Sequence, residues 1–518
     1  MSVLDFFPHK TFRPYQKETI LDIQQSLDSD EIENVVLESP TGSGKSAIAI
    51  SLGLYYKSAF LLTSQKILQD QYVKDYSSGR VCVLKGRNNY PCKLYANFTC
   101  EDSYCSTKQC PIKPECYYEI AKQQAVESYV ALMNYKYFLC ITNYTGTFSL
   151  RKLLICDEAH SLDDECMSFV EFSFSSLYLS KLGVTSKIPI YEKLDEYIEW
   201  LRMLVPIIKE RKKEVTEKLK NKFLDIEIIS DLQKELEGLA SQEERVKVFL
   251  ESYTKVEWIF DITTNEKLRS KTIIFKPLTV GFFAQRLLFK NAEKKLFMSA
   301  TILDKESFCR NLDLEVSKTK FIQVPSTFSP DIRPIILTRS GNLGKNNIEE
   351  SLPKVVQDIE KILDFHDTEK GLLHCHTYRI ANYIKENIGL KFRERIILHD
   401  SSTRTAALNN FMLSDEPKVL VTPSMTEGID LKDDLARFVV IVKLPFMFLG
   451  DKQIKQRMEI DPEWYNWKTA LTLVQAAGRG VRHDKDFCTI YIMDSQFKFF
   501  LKQNSKFFPK YFVDAIKN

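Results

Sequence analysis

Seven short apolar runs, each ending in small or polar residues, constrain this chain more than any other feature. They are NVVLES (34–39), AFLLTS (59–64), KLLICDE (152–158), KKLFMSA (294–300), GLLHCH (371–376), KVLVTP (418–423) and ARFVVIVKLP (436–445). A run that is apolar on both sides of the pleat fits a strand covered on both faces, as strands of parallel sheets are. Helical stretches follow the runs, and the runs fall into two groups. The sequence therefore predicts two α/β domains with parallel sheets, their chemistry gathered at the carboxyl ends of the strands. With 518 residues, 44% of them hydrophobic, each domain can build its own core.

Between the groups the pattern changes. From about Tyr191 to Val256 the chain is rich in Glu, Lys and Leu, with apolar residues at three- and four-residue steps. That period predicts long amphipathic helices. They read as an insertion that leaves the first α/β domain and re-enters it. A second irregularity, PCKLYANFTCEDSYCSTKQCPIKPEC (91–116), holds five of the twelve cysteines. A chain with two large cores needs no such staple to fold, so the cluster reads as a local device.

Charge excludes little. Lys plus Arg is 72 against 69 Asp plus Glu, a net +3, so any nucleic-acid contact must come from local grooves rather than a global basic field. The start, MSVLDFFPHKTFRPYQ, lacks the basic residues and long apolar core of a secretory signal. FVVIVKLPFMFLG (438–450) is too short to span a membrane and is broken by Lys443 and Pro445. The expectation is a cytoplasmic protein with no membrane partner. In a reducing compartment clustered cysteines lean toward metal, and the seven scattered ones toward buried thiols.

The strand NVVLES runs into PTGSGKS (40–46) and then into a helical stretch, the setting a phosphate-binding loop requires. Thr41, Gly42, Ser43 and Gly44 would wrap backbone amides around phosphates, and the helix would add its positive end. Lys45 would reach the β- and γ-phosphates, and Ser46 would hold Mg²⁺. Ser39 stands where the usual pattern has its first glycine. The run KLLICDEAH delivers Asp157 and Glu158 at a strand end, placing Asp157 to hold Mg²⁺ and Glu158 to orient the attacking water. The two motifs together indicate hydrolysis of a nucleoside triphosphate.

Further along, QAAGRGVR (475–482) follows the helical pattern WYNWKTALTLV and spaces Gln475, Arg479 and Arg482 by four and three residues. That spacing predicts one helical face bearing two arginines suited to a triphosphate. TPSMTEGIDLKD supplies Glu427, Gly428 and Asp430 after a strand, and MSAT (298–301) ends another. WYNW (464–467) has the spacing of core packing. KGRNNY (85–90) and Thr63, Ser64 and Gln65 are weak candidates for contact with a nucleic-acid strand.

In this order, RPYQ (13–16), SPTGSGKS, DEAH, MSAT, TEGID and QAAGRGVR resemble the motifs of a superfamily 2 helicase. ESPTGSGKS, EGID and Q-x-x-G-R-x-x-R look like its iron–sulfur XPD/DinG branch, in which the serine at position 39 is usual. The resemblance implies two RecA-like parallel-sheet motor domains, the first carrying an iron–sulfur insertion and a helical arch. It implies nucleotide binding by Arg13, Gln16, Gly428 and Asp430 beside the phosphate loop, and catalysis by Lys45, Asp157, Glu158, Gln475, Arg479 and Arg482. It implies boundaries at 1–80, 121–170 and 263–305 for the first motor, 81–120 for the cluster domain, 171–262 for the arch and 306–518 for the second motor.

For the cysteines, spacing alone leaves the metal open. Zinc sites favour close pairs such as C-x₂-C, absent here, whereas an iron–sulfur cubane accepts thiolates spread along a looping chain. LKGRNNYPC (84–92) is similar to the DinG segment that precedes its first ligand, and Cys105, Cys110 and Cys116 match that family's C-x₄-C-x₅-C ending. The resemblance therefore implies a [4Fe–4S] cluster on Cys92, Cys105, Cys110 and Cys116, with Cys100 left over. It further implies ATP and Mg²⁺, a monomeric DNA-associated motor moving 5′→3′ on single-stranded DNA, and forked or tailed duplex as substrate, with RNA–DNA hybrid as another. A translocase or remodeller that hydrolyses ATP without separating strands is the alternative.

Overall fold

The computed structural model describes residues 1–517 apart from 77, 104–109, 185–186, 222–223, 266–268, 401, 424–430, 432, 482 and 484. The first α/β domain, the expected first motor, is a seven-stranded sheet with every pairing parallel. In spatial order its strands are Thr319–Gln323, Asn34–Glu38, Ala292–Ser299, Arg151–Asp157, Ala59–Thr63, Val130–Asn134 and Val81–Val83. Register sets Glu38 beside both Ser299 and Gln323, and Asp157 beside Met298, so the polar strand ends share one edge of the sheet.

Alternation explains why these strands look uniformly apolar. Val35 and Leu37 pack with Ile20 and Ile48 on one face, whereas Val36 packs in a different cluster on the other. Both faces are thus dry, and neither can carry a polar residue cheaply.

The second motor repeats the plan. Its parallel order is Ile396–Leu398, Val419–Thr422, Gly371–His374, Phe438–Ile441, Thr489–Asp494, Ile335–Gly341 and the short terminal strand Ile516–Lys517. Leu373, Val421 and Val440 face one layer, and Leu372, Leu420 and Val439 the other. Gly371 is required: a Cβ there would lie 2.2 Å from the Phe438 ring.

The insertion is a helical hairpin, Leu194–Lys218 and Ile226–Ser252, standing on a three-stranded antiparallel sheet. The helices bury Tyr197, Leu201, Leu204 and Ile208 from one, and Ile229, Leu239, Val246 and Phe249 from the other. That small sheet joins Phe172–Ser175, Ser270–Pro277 and Trp258–Asn265.

Two expected boundaries shift. Ser270–Pro277 is the central strand of the arch sheet, so the arch runs to Pro277 rather than residue 262. Thr319–Gln323 is the edge strand of the first sheet, so the first motor extends past residue 305. Its sequence, TKFIQ, buries only Thr319 and Ile322 and leaves Lys320 and Gln323 exposed, because an edge strand is covered less completely. Among the described residues no helix is long and apolar enough to cross a membrane.

Candidate functional site

The phosphate loop follows Asn34–Glu38 and feeds the helix Lys45–Tyr56. Gly42 and Gly44 have φ of +83° and +85°, which glycine adopts without strain. A Cβ on Gly44 would also collide with Gln16 Nε2 at 2.3 Å. Gln16 Nε2 donates to Gly44 O at 3.1 Å, Arg13 Nη1 donates to Gly42 O, and the Arg13 amide donates to Gln16 Oε1 at 2.9 Å. RPYQ thus braces the loop directly. Lys45 Nζ donates to Ser39 O at 2.8 Å and Pro40 O at 3.3 Å, and the Ser39 hydroxyl donates to Ser43 Oγ at 2.7 Å.

Opposite the loop, Arg151–Asp157 ends in Asp157, which is buried and accepts from the Tyr72 hydroxyl at 2.9 Å. Burial pushes the Asp157 carboxyl up to about 6, and Glu158 adds to the rise. Lys45 and the Tyr72 hydrogen bond oppose it. Glu158 has φ of +53°, a conformation few non-glycine residues adopt. His160 Nδ1 lies 3.3 Å from Glu158 Oε2 and 2.8 Å from Ser299 Oγ, joining DEAH to MSAT.

The second motor closes this space. Gln475 Nε2 donates to Thr301 Oγ1 at 3.0 Å, and Trp467 Nε1 donates to Ile302 O at 2.8 Å. Arg13, Gln16, Thr41, Gly42, Gly44, Lys45, Ser46, Asp157 and Glu158 from one motor share a cleft of about 650 Å³ with Gln475 and Arg479 from the other. This is a usual size for a small-ligand site.

One expected arrangement differs. The helix is Pro462–Ala477, capped by the Gly478 amide on Val474 O and Gln475 O. Gln475 and Arg479 therefore do not share a helical face; Arg479 projects from the loop beyond. A Cβ on Gly480 would lie 2.2 Å from Cys488 Sγ, so that loop packs closer than a helix would. Arg482, Gly428, Asp430 and Cys105 lie outside the described residues.

Sequence reasoning missed Tyr72, Arg333 and Tyr511. Tyr72 sits in QKILQDQY, and nothing local marks its reach to Asp157. Arg333 stacks over the Tyr511 ring at 4.4 Å, both in the cleft wall. Ser64 and Gln65, weak strand-contact candidates, line the same cleft, while Thr63 is fully buried. Trp464, Tyr465 and Trp467 are core, as their spacing suggested.

In the cysteine segment, Cys92 N bonds to Phe98 O at 2.9 Å and Cys100 N to Tyr90 O at 2.8 Å, forming a small hairpin. Cys100, Cys110 and Cys116 are buried, and Cys92 is half-buried. Cys100 Sγ lies 3.6 Å from Cys116 Sγ, far beyond a disulfide bond of about 2.05 Å. Buried thiols on short looping segments are the donor set a metal cluster needs. The arch reaches over this segment: Arg87 Nη1 lies 3.3 Å from Glu237 Oε1, and Asp102 Oδ1 meets Ser230 Oγ at 3.1 Å and Lys234 Nζ at 3.3 Å.

Residues 9–188 match the family described as type III restriction enzyme, res subunit, and residues 359–514 match the helicase C-terminal domain. The chain is similar to ATP-dependent DNA helicase YoaA of Escherichia coli (strain K12), with 22% identity over 94% of this chain and 92% of the relative. A probable ATP-dependent helicase of Methanocaldococcus jannaschii is 21% identical over 95% and 92%. Among solved structures, an XPD helicase superposes with a TM-score of 0.64 at 16% identity, covering 96% of this chain and 98% of that one. Xpd4 of S. tokodaii superposes at 0.59 and 14%, covering 98% and 99%.

Proposed function

We infer that this chain, a superfamily 2 helicase of the XPD/DinG type, is an ATP-dependent DNA helicase that tracks single-stranded DNA 5′→3′ and parts duplex beside an iron–sulfur domain. The observation that carries this reading is the shared cleft. Lys45 and Asp157 face Gln475 and Arg479 across the two motors, so ATP bound there touches both domains at once.

The residues divide the work. Gly42 and Gly44 leave room for backbone amides to face phosphate, and Arg13 and Gln16 fix the loop's shape. Lys45, now satisfied by loop carbonyls, is placed to turn to the β- and γ-phosphates. Ser46 and Asp157 would hold Mg²⁺, which neutralises charge on the transferring phosphoryl group. Glu158, held near His160, is positioned to orient and deprotonate the attacking water. Arg479, and Arg482 after it, would stabilise charge from the second motor. Gly428 and Asp430 are assigned to nucleotide binding. Loss of the γ-phosphate would loosen the second motor's grip and shift the two domains' hold on the strand.

Cys92, Cys105, Cys110 and Cys116 would hold a [4Fe–4S] cluster, which fixes the fold of the segment facing the arch. The remaining assignments are a monomeric, cytoplasmic, DNA-associated motor acting on forked or tailed duplex, with RNA–DNA hybrid as a further substrate.

Strand displacement on 5′- and 3′-tailed duplexes tests the reading. Displacement of the 5′-tailed duplex alone is expected, with Lys45→Ala abolishing both it and DNA-stimulated hydrolysis. Stimulated hydrolysis with no displacement on either substrate would instead make the protein a translocase.

A further inference from the structure

Glu38 is the last residue of the strand before the phosphate loop, and its carboxylate is buried. It does not face the nucleotide cleft. Its Oε2 accepts from the amide of Ile302 at 2.5 Å and also from that of Leu303, the turn that follows MSAT. Its Oε1 accepts from Gln323 Nε2 at 2.6 Å. Three donors on one dry carboxylate form a strong arrangement, since charge-assisted hydrogen bonds exceed neutral ones and little water competes. The turn needs that support, for Leu303 has φ of +69°, a conformation costly to a branched side chain.

What the turn holds makes the contact more than a brace. Ile302 O accepts from Trp467 Nε1 at 2.8 Å, and Thr301 Oγ1 accepts from Gln475 Nε2 at 3.0 Å. Trp467 is fully buried, on the second-motor helix that leads into QAAGRGVR. An unbroken chain of hydrogen bonds therefore runs from the residue beside the phosphate loop, through one strained turn, to the helix that precedes Arg479.

We propose that Glu38 is a positioning residue that couples the phosphate loop to the second motor, so that nucleotide state in one domain sets the helix position in the other. The inference rests on the helicase reading. Glu38 touches no substrate, so its removal spares nucleotide binding and uncouples hydrolysis from strand separation. Gln fits the same space and keeps an oxygen for the turn amides, with the Gln323 amide free to turn toward it; Asp is too short to reach.

The test compares Glu38→Ala, Glu38→Gln and Trp467→Phe in the full chain, measuring DNA-independent ATP turnover, KM for ATP and base pairs parted per ATP. For Glu38→Ala the first two should stay within about twofold while base pairs per ATP fall about tenfold or more, and Glu38→Gln should recover most of the loss. Trp467→Phe removes the Nε1 hydrogen bond together with part of a fully buried ring, so its folding is checked by urea midpoint alongside. It should lower coupling in the parent and add little to Glu38→Ala, the non-additivity that a shared path requires. If Glu38→Ala does not fold, Glu38→Gln and Trp467→Phe carry the test, the latter expected to lower base pairs per ATP at constant basal turnover. A raised KM with basal and stimulated turnover lost together would reduce Glu38 to a brace of the loop. Additive effects, or unchanged coupling in Trp467→Phe, would also overturn the proposal. A parent protein without ATP hydrolysis or strand separation would sink the helicase reading and this inference with it.

Discussion

Lys468 Nζ lies 2.9 Å from Asp163 Oδ1 and 3.1 Å from Asp164 Oδ2, with Lys468 and Asp163 both buried. The pair joins the helix Leu162–Val170, which follows DEAH, to the helix Pro462–Ala477, which carries Gln475. Burial, the largest influence, would raise the Asp163 carboxyl, but the Lys468 and Arg457 charges and the hydrogen bonds from Lys468 and Asn311 together leave the group below its ordinary value. Burial would likewise lower Lys468, and the two carboxylates hold it above its ordinary value instead. Lys468→Met leaves a carboxylate buried without its cation and should cost about 3–5 kcal/mol. Urea midpoints would read the loss, and adding Asp163→Asn should recover part of it. The Asp163 contribution is complete above about pH 4 and lost as pH falls through its lower folded value. The Lys468 contribution is complete below about pH 10.4 and lost as pH rises through its higher folded value. In Lys468→Met the buried Asp163 carboxyl loses its main opposing charge and rises, so the difference between parent and variant should grow as pH climbs above about 4 and level off once that carboxyl is ionised. No growth above about pH 4 would mean that Asp163 does not depend on Lys468.

Anaerobically purified protein should be brown and carry iron and sulfide in cubane ratio, whereas stoichiometric zinc without iron would reassign the metal. In the proposed ligand set Cys100 is the spare, yet its sulfur packs 3.6 Å from that of Cys116. Cys100→Ser should keep the iron but shift the cluster's visible absorption, because it alters a neighbour of a ligand. Cys105→Ser should lose iron. The reverse pattern would exchange the two residues.

Arg479 enters the cleft near His374, a buried imidazole pushed down to about 3 by burial and the Arg479 charge. His374 is thus neutral at working pH, and the charge offered to phosphate from this corner is the guanidinium's. Arg479→Ala should lower DNA-stimulated kcat about 10³-fold while KM for ATP moves little. Arg479→Lys should recover only part, because an ammonium lacks the planar fork. A raised KM at constant kcat would make Arg479 a ground-state contact.

What could be read in the sequence was what local spacing determines. The phosphate loop and DEAH each sit within a few residues of a strand end, so apolar runs and glycines suffice to place Lys45 and Asp157. The helical period does not carry on to Arg479, because the helix ends at Ala477 with Gly478 as its cap. The strand Thr319–Gln323 is not legible because an edge strand keeps polar, exposed positions such as Lys320 and Gln323 instead of running apolar. Tyr72 with Asp157, and Lys468 with Asp163, are separated by 85 and 305 residues. Their partnership depends on how the sheets and domains stack, and no window of sequence holds that.

The arch and the cysteine segment meet through Arg87 with Glu237 and through Asp102 with Ser230 and Lys234. These charged side chains retain solvent exposure, and pairs of that kind contribute about 0–1 kcal/mol each. On the helicase reading, a strand passing between these two segments meets a closure that opens readily, so it should enter sideways as well as by its end. Circular single-stranded DNA should therefore stimulate ATP hydrolysis to within about twofold of a linear strand of equal length, and Glu237→Ala with Asp102→Ala should speed loading further. The advantage of the double variant should fade as salt rises, because screening weakens the same contacts in the parent. A strict requirement for a free end would mean that the arch does not part from the cysteine segment, and that the apolar packing around Ile229, rather than these polar contacts, holds it shut.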